Sequence, residues 1–489
     1  MKVHAPAPIS KHPDQRWLTR NAFILLVFSF AMTIAVEAQS HNVLVRFENG
    51  TGGSPIDIVQ GADGNFYGVG ITGGNNAGGS IFKATPAGDA GHLYVFCATA
   101  PCRDGKTPNG LVLASDGNFY GTARRGGQRG DGIVFRASPT GGATTIYSFC
   151  ADTPTCTNGL FPEGELIQGS DGDLYGTAAN GGLHNAGIVF KITLSGVFTK
   201  LYDFCSQPNC ADGLRPGTGL VEARNGLFYG TTLGAGANGS GGTIFRISSS
   251  GKLSTLYSFC AQPNCADGAN PLTSLLPATD GNMYGATGSG GLVDGTCSAG
   301  CGTIFRIPLS GAPLTVVHAF TSSEGVQVQK LIQATDGSFY GTARLGGSSN
   351  LGTLFKMDAA GSVSVLFNFC NAAACHSSTN PVGLIQSTNG LFYGTTMGPG
   401  NGTLFTYGYP PFITMTPSFG PVGTMVKIYG SDLSGATEVT FNGGVSATFT
   451  IVSPGEIDTS VPAGALFGSV KVRTPAATLT SNVVFRVTP

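Results

Sequence analysis

Short apolar runs broken by glycine recur along most of this chain. In the stretch 166–204 they fall at Leu166-Ile167-Gln168, Leu174-Tyr175-Gly176-Thr177, Ile188 to Ile192 and Thr199 to Phe204. Each run is too short for a helix, and turn residues bound it, so the pattern predicts four short strands, A to D. Asp171-Gly172 and Ser195-Gly196 fall between A and B and between C and D. Glycine suits such hairpins because it takes positive φ without a Cβ clash. The apolar residues serve both faces of each strand, so every sheet is expected to be packed on both sides.

The unit repeats. Asp/Asn-Gly-x-apolar-Tyr-Gly, with small variations, places tyrosines at Tyr67, Tyr120, Tyr175, Tyr229, Tyr284, Tyr340 and Tyr393, spaced 53 to 56 residues apart. A second signature, close to Gly-x-aliphatic-aliphatic-Phe, ends at Phe82, Phe135, Phe190, Phe245, Phe305, Phe355 and Phe405. A third, read in Thr255 to Cys260, recurs at Phe96, Phe149, Phe204, Phe320 and Phe369 but is missing after Phe405. Its missing copy lies at the other end of the chain, in Val43-Leu44-Val45-Arg46-Phe47. That displacement predicts a closed ring of seven blades in which the N-terminal strand completes the last sheet, leaving no open edge. An open solenoid would have shorter or helical units with polar caps.

Charged residues are only 11% of the chain, and 26 basic against 27 acidic residues leave a net charge of -1. No basic field exists to hold a phosphate backbone, so nucleic acid is not an expected partner. The 76 glycines reinforce the all-β reading. Lys2, Lys11, Arg16 and Arg20 precede an apolar run from Ala22 to Val36 and a small-residue Val36-Glu37-Ala38 site, which reads as a signal peptide over residues 1–38. The run is shorter than the roughly 20 apolar residues a membrane span needs, so cleavage after Ala38 is expected, with no membrane span in the mature chain and no C-terminal anchor.

Twelve cysteines fall into six local pairs, Cys97/Cys102, Cys150/Cys156, Cys205/Cys210, Cys260/Cys265, Cys297/Cys301 and Cys370/Cys375. An even count in an exported chain reads as disulfides. The spacing does not suit structural zinc, and no metal or cofactor is expected.

The Tyr-Gly-Thr and Gly-Thr-Ile-Phe signatures, as in Leu227 to Thr232 with Gly242 to Phe245, resemble the bacterial GloVer repeat of choice-of-anchor tandem-repeat proteins, over roughly 43–407. That resemblance implies an exported surface protein. The propeller is placed at 39–408. Beyond it, Pro417 to Thr424, Val426 to Gly430, Val439 to Gly443, Val461 to Gly464 and Val484 to Val487 resemble an IPT/TIG domain, implying an immunoglobulin-like β-sandwich over 411–489.

No nucleophile elbow, zinc-binding helix, P-loop or dinucleotide fingerprint is present. Asp171-Gly172-Asp173 reads as a turn rather than a calcium loop, and Ser115 to Asn118 only faintly resembles the structural Asp-box of sialidases. Function is therefore sought where the repeat is broken. Strand alternation puts the B–C and D–A loops on one face of the disc, with Arg124, Arg125, Arg129, Asp131, His184, Asp294 and Arg344 as its non-repeated polar residues. Gln60, Gln168, Glu222, Gln333 and Gln386 share one offset before the A–B turn and are candidates to line the channel. The expectation is a non-enzymatic binding or adhesion protein recognising a glycan or an extracellular protein. The alternatives are a carbohydrate-active lyase or hydrolase, for which Glu222 with Asp131 or Asp294 are the carboxylate pairings to inspect, and a structural envelope component.

Overall fold

The computed structural model describes residues 41–488, apart from 49–52, 75, 152–154, 371–377, 389, 399, 409–412, 431–432, 454 and 475–477. The signal-peptide segment and Cys375 lie outside the described residues. Seven antiparallel sheets, each of four strands in simple A-B-C-D order, make the propeller, the inner strand of the fifth being split in two. Blade 1 is Gly53–Gln60, Phe66–Thr72, Ser80–Ala84 and Ala90–Val95. Blade 7 supplies Pro381–Gln386, Phe392–Thr396 and Thr403–Tyr407, and its outer strand is the N-terminal His41–Arg46, paired antiparallel from His41 opposite Tyr407 to Arg46 opposite Thr403. The ring closes as the displaced third signature predicts.

One contact accounts for the two strongest repeat signatures. A Cβ on the glycine after each repeated tyrosine would stand 2.7 Å or less from the Cζ of the strand-C phenylalanine, as at Gly230 and Phe245 (2.6 Å) or Gly341 and Phe355 (2.4 Å). The glycine is required so that the phenylalanine ring can lie over the strand-B backbone. In five of the seven blades the tyrosine ring then packs on an aromatic side chain of the next blade, as Tyr67 on Phe119 at 4.4 Å and Tyr175 on Phe228 at 3.9 Å. Tyr393 on Phe66 at 4.1 Å carries the series across the closure. In five blades the tyrosine hydroxyl donates to the aspartate of its own A–B hairpin, as Tyr67 to Asp63, Tyr120 to Asp116 and Tyr175 to Asp171, whereas the Tyr229 hydroxyl accepts from Asn225. A buried phenol thereby keeps a partner while holding the hairpin.

The disulfides Cys97–Cys102, Cys150–Cys156, Cys205–Cys210, Cys260–Cys265 and Cys297–Cys301 are all formed, and Cys370 is disulfide-bonded too. In four of these loops both cysteines sit at positive φ, between 49° and 62°, a region most side chains avoid. Asp212 shows how such a loop is held: it accepts the Tyr202 hydroxyl at 2.8 Å and the Ser206 amide at 3.0 Å.

From Ile413 to Val487 the chain forms an immunoglobulin-like domain around Ile413, Ile428, Phe441, Ile457, Val472 and Phe485. It sits on the turn face of the propeller, formed by the A–B and C–D turns. The Arg486 guanidinium donates to the Gln168 carbonyl and lies 3.6 Å from the Glu222 carboxylate. The opposite face, carrying the B–C and D–A loops, makes no such contact among the described residues. No helix of the described residues is long and apolar enough to cross a membrane.

Candidate functional site

The channel is built in levels by the inner strands, and counting back from each repeated tyrosine identifies them. Eight residues before, every blade places a half-buried aliphatic side chain: Val59, Val112, Ile167, Val221, Leu276, Ile332 and Ile385. Ten residues before stand Asp57, Gly110, Glu165, Gly219, Ser274, Lys330 and Gly383. This is the level at which the repeat is most thoroughly broken.

The Lys330 ammonium reaches both acids, Glu165 Oε1 at 3.0 Å and Asp57 Oδ1 at 3.6 Å. The glycines make this meeting feasible. A Cβ at Gly110 would stand 2.9 Å from Glu165 Cγ and 3.3 Å from Asp57 Oδ2, and one at Gly219 would meet Ser274 Oγ at 3.0 Å. A register shift occurs just before this level in three blades, between Pro55 and Asp57, Pro108 and Gly110, and Val328 and Lys330. Bulges re-aim the residue that follows them, and in two of these blades that residue, Asp57 or Lys330, is a member of the ion-pair cluster.

Two carboxylates share one ammonium, so one negative charge is left over. Burial, with Glu165 adding to it, pushes the Asp57 carboxyl up to about 6 against the pull of Lys330. Burial works against the Lys330 ammonium, but Glu165 and Asp57 outweigh it and hold its pKa above the ordinary lysine value.

Nearer the loop face, Arg124 pairs with Glu163 at 2.6 Å, and the guanidinium groups of Arg124 and Arg125 lie 5.5 Å and 5.4 Å from the centre of the Phe161 ring. The Asp131 carbonyl accepts the Phe161 amide at 2.8 Å. Three of the expected loop residues, Arg124, Arg125 and Asp131, are thus gathered around one phenylalanine. Asp294 is spent inside its own region: it accepts from Thr296 and Cys297 and takes the Ser322 amide at 2.6 Å, which holds its carboxyl well below the ordinary range. Arg129 and His184 are exposed and Arg344 is half-buried, and these three make no hydrogen bond or ion pair among the described residues. Leu183, Leu292 and Val293, in the B–C loops of blades 3 and 5, add exposed apolar surface at 66%, 51% and 64% exposure.

The five residues sharing an offset stand at the turn-face end of the channel, where each clasps the A–B turn of the preceding blade. Gln60 accepts the Thr388 amide, Gln168 the Ser115 amide, Glu222 the Ser170 amide, Gln333 the Thr279 amide and Gln386 the Thr335 amide. Glu222 is therefore at the opposite end of the disc from the B–C loops that carry Asp131 and Asp294, and these carboxylate pairings do not converge. Two Cys/Asp clusters have oxygen and sulfur atoms close together, Asp131 with Cys150 and Cys156 and Asp294 with Cys297 and Cys301. Their sulfurs are locked in disulfides and offer no thiolate.

Asp57, Glu165 and Lys330 escape a reading built on repetition because they do not repeat. The available signal was their break in an otherwise regular column ten residues before each tyrosine.

These features define a seven-bladed β-propeller followed by an immunoglobulin-like domain. Residues 27–241 and 205–408 match the Gloeobacter/Verrucomicrobia repeat, and residues 411–487 match the IPT/TIG domain. The chain belongs to the Gloeobacter/Verrucomicrobia repeat family. No curated protein matches it in sequence. Among solved structures, it is similar to the extracellular domain of a hybrid two-component system from B. thetaiotaomicron, at 11% identity and a TM-score of 0.52, over 90% of this chain and 51% of that one. This chain thus spans about half of that structure. A fungal alcohol oxidase in complex with copper is similar at 13% identity and a TM-score of 0.49, over 92% and 97% of the two chains. The first of these likenesses bears on the fold alone.

Proposed function

We propose that the chain is an exported, non-enzymatic binding protein whose propeller loop face recognises a glycan or an extracellular protein. The observation that carries this reading is the gathering of the non-repeated charged groups Arg124, Arg125 and Glu163 around Phe161, on the loop face away from the immunoglobulin-like domain. Arg125 over Phe161, the unpaired Arg129 and Arg344, and the apolar tips Leu183, Leu292 and Val293 widen that face into a surface of mixed character. Such a mixture suits recognition of a polar partner with apolar patches. Export is supported by the leader pattern and by the formed disulfides, which persist in oxidising compartments.

A carbohydrate-active enzyme draws support from one feature, the Asp57 carboxyl raised to about 6 beside a second carboxylate. Against it, Asp57 is 4% exposed, and both acids are tied to the same ammonium, which leaves neither free to meet a sugar ring.

A glycan array and polysaccharide pull-down with the oxidised chain from Gln39 onward tests the binding reading. Retention that is lost when Arg124, Arg125 and Arg344 are changed to alanine supports it. Absence of retention by any polysaccharide removes the glycan and leaves a protein partner or an envelope role. Release of reducing ends that disappears in D57N and E165Q would favour the enzyme.

A further inference from the structure

A cavity of about 710 Å³ lies between the turn face of the propeller and the immunoglobulin-like domain. On the propeller side its wall includes Val59, Leu276, Ile332 and Ile385, all members of the aliphatic ring. On the other side stand Phe419 and Val483. The volume falls within the roughly 300–1,000 Å³ of small-molecule sites.

The side-chain amides and the one carboxylate along this wall are already used, leaving hydroxyls such as those of Thr414, Thr416 and Ser418. Gln60 bonds to Thr388 and the Gly64 carbonyl, Gln333 to Thr279 and the Gly337 carbonyl, and Gln386 to Thr335. Asp63, the one acid on it, is held by Lys83, Asn65 and Tyr67. A ligand would therefore find no spare charge to neutralise and few free donors. Water there is poorly bonded and is released favourably to an apolar occupant.

We propose that this chamber binds one uncharged, hydrocarbon-rich small molecule, independently of whatever the loop face recognises. Both domains supply its walls, so the site exists only while the two are docked, and binding adds to the hold between them.

The test uses the oxidised chain from Gln39 onward, which lacks tryptophan because Trp17 precedes it. N-phenylnaphthylamine, an uncharged dye that fluoresces in apolar surroundings, serves as the probe. The unsubstituted chain should bind one equivalent saturably, and the indole of V483W, at the lip of the chamber, should transfer excitation to the bound dye. I385W, which fills the chamber, should weaken binding at least tenfold, whereas a combined L183S, L292S and V293S chain should bind as the unsubstituted one does. No saturable binding to the unsubstituted chain overturns the proposal, as does binding lost on removing the three loop-face side chains. Should I385W fail to fold, the V483W signal decides alone: dye that binds without energy transfer sits elsewhere. Failure of every polysaccharide to bind would leave this proposal untouched.

Discussion

Replacing Lys330 by methionine leaves Asp57 and Glu165 facing one another in the channel without their shared counter-charge. Removing one partner of a buried pair is strongly destabilising. Because Lys330 keeps about a quarter of its surface exposed, the expected loss is nearer 2 kcal/mol than the 3–5 kcal/mol of a fully buried pair. Urea unfolding at pH 7 should show it, and the loss should shrink at pH 4.5, below the raised Asp57 pKa, where that carboxyl takes up a proton. In the unsubstituted chain, the raised Asp57 pKa means the folded state binds a proton more tightly than the unfolded state. Its contribution therefore falls as pH rises from about 4 to about 6, and the penalty is complete above that window. D57N should stabilise at pH 7 by on the order of 2 kcal/mol and make little difference at pH 4. A D57N chain no more stable than its parent at pH 7 would show that the ion pair with Lys330 offsets the cost of burying the Asp57 carboxylate.

The limits of sequence reading are clearest at this scale. Tyr67 and its equivalents announced themselves by recurring, and recurrence marks scaffold. Lys330 recurs nowhere, and its partners are 165 and 273 positions away along the chain, so no local pattern could join them. Arg124 and Arg125 are recognisable as breaks in the repeat, but no sequence pattern joins them to the phenylalanine they share, Phe161.

Within a blade, the strand-B glycine is the element's weak point. In G230A the new methyl group would stand 2.6 Å from Phe245 Cζ, and overpacking of this kind costs about 1–3 kcal/mol. Thermal unfolding should report a lowered midpoint, with no matching loss for an alanine at the open A–B turn glycine Gly226 beyond the strain of its positive φ. The closing strand has its own pH dependence. His41 is stacked on Phe367 at 3.9 Å, and burial lowers its pKa to about 4. The unfolded histidine holds its proton up to about 6.5, so the stability contributed by neutral His41 is lost as pH falls from there towards 4. Protection of the His41–Arg46 amides, measured against their intrinsic exchange rates, should fall as pH drops through that window, and H41F should remove the fall. Strand order and the displaced copy were legible because hydrophobic periodicity and turn chemistry act locally. The short inner strand of blade 3 was legible too, read at Leu166 to Gln168 and found at Ile167–Gln168, but the splitting of the inner strand in blade 5 was not, since where a strand breaks is set by the neighbours it must fit.

For the molecule as a whole, Arg486 is the polar hold between propeller and immunoglobulin-like domain. R486A should enlarge the radius of gyration in small-angle scattering while leaving Glu222 bonded to Ser170. Unchanged scattering would mean that apolar contact alone keeps the domains together. Two domains and their order could be read from sequence, because the repeat stops at a definite place. Their docking could not, since neither Arg486 nor Gln168 belongs to a pattern that names the other.

If the chain is exported as proposed above, the pairing of His41–Arg46 with Thr403–Tyr407 also governs the order of events during secretion. The first strand to emerge must wait, unpaired, until almost the entire disc has been delivered, because its partner arrives last. Each intervening blade can meanwhile assemble from near neighbours and be oxidised within its own short loop, so progress across the membrane is recorded as a growing, still gaping arc. An interrupted translocation would strand that arc with a raw edge at either end, competent to join a second interrupted copy. Completion of the chain and completion of the circle are therefore the same event, and only a chain that has passed as far as Tyr407 is protected from its siblings.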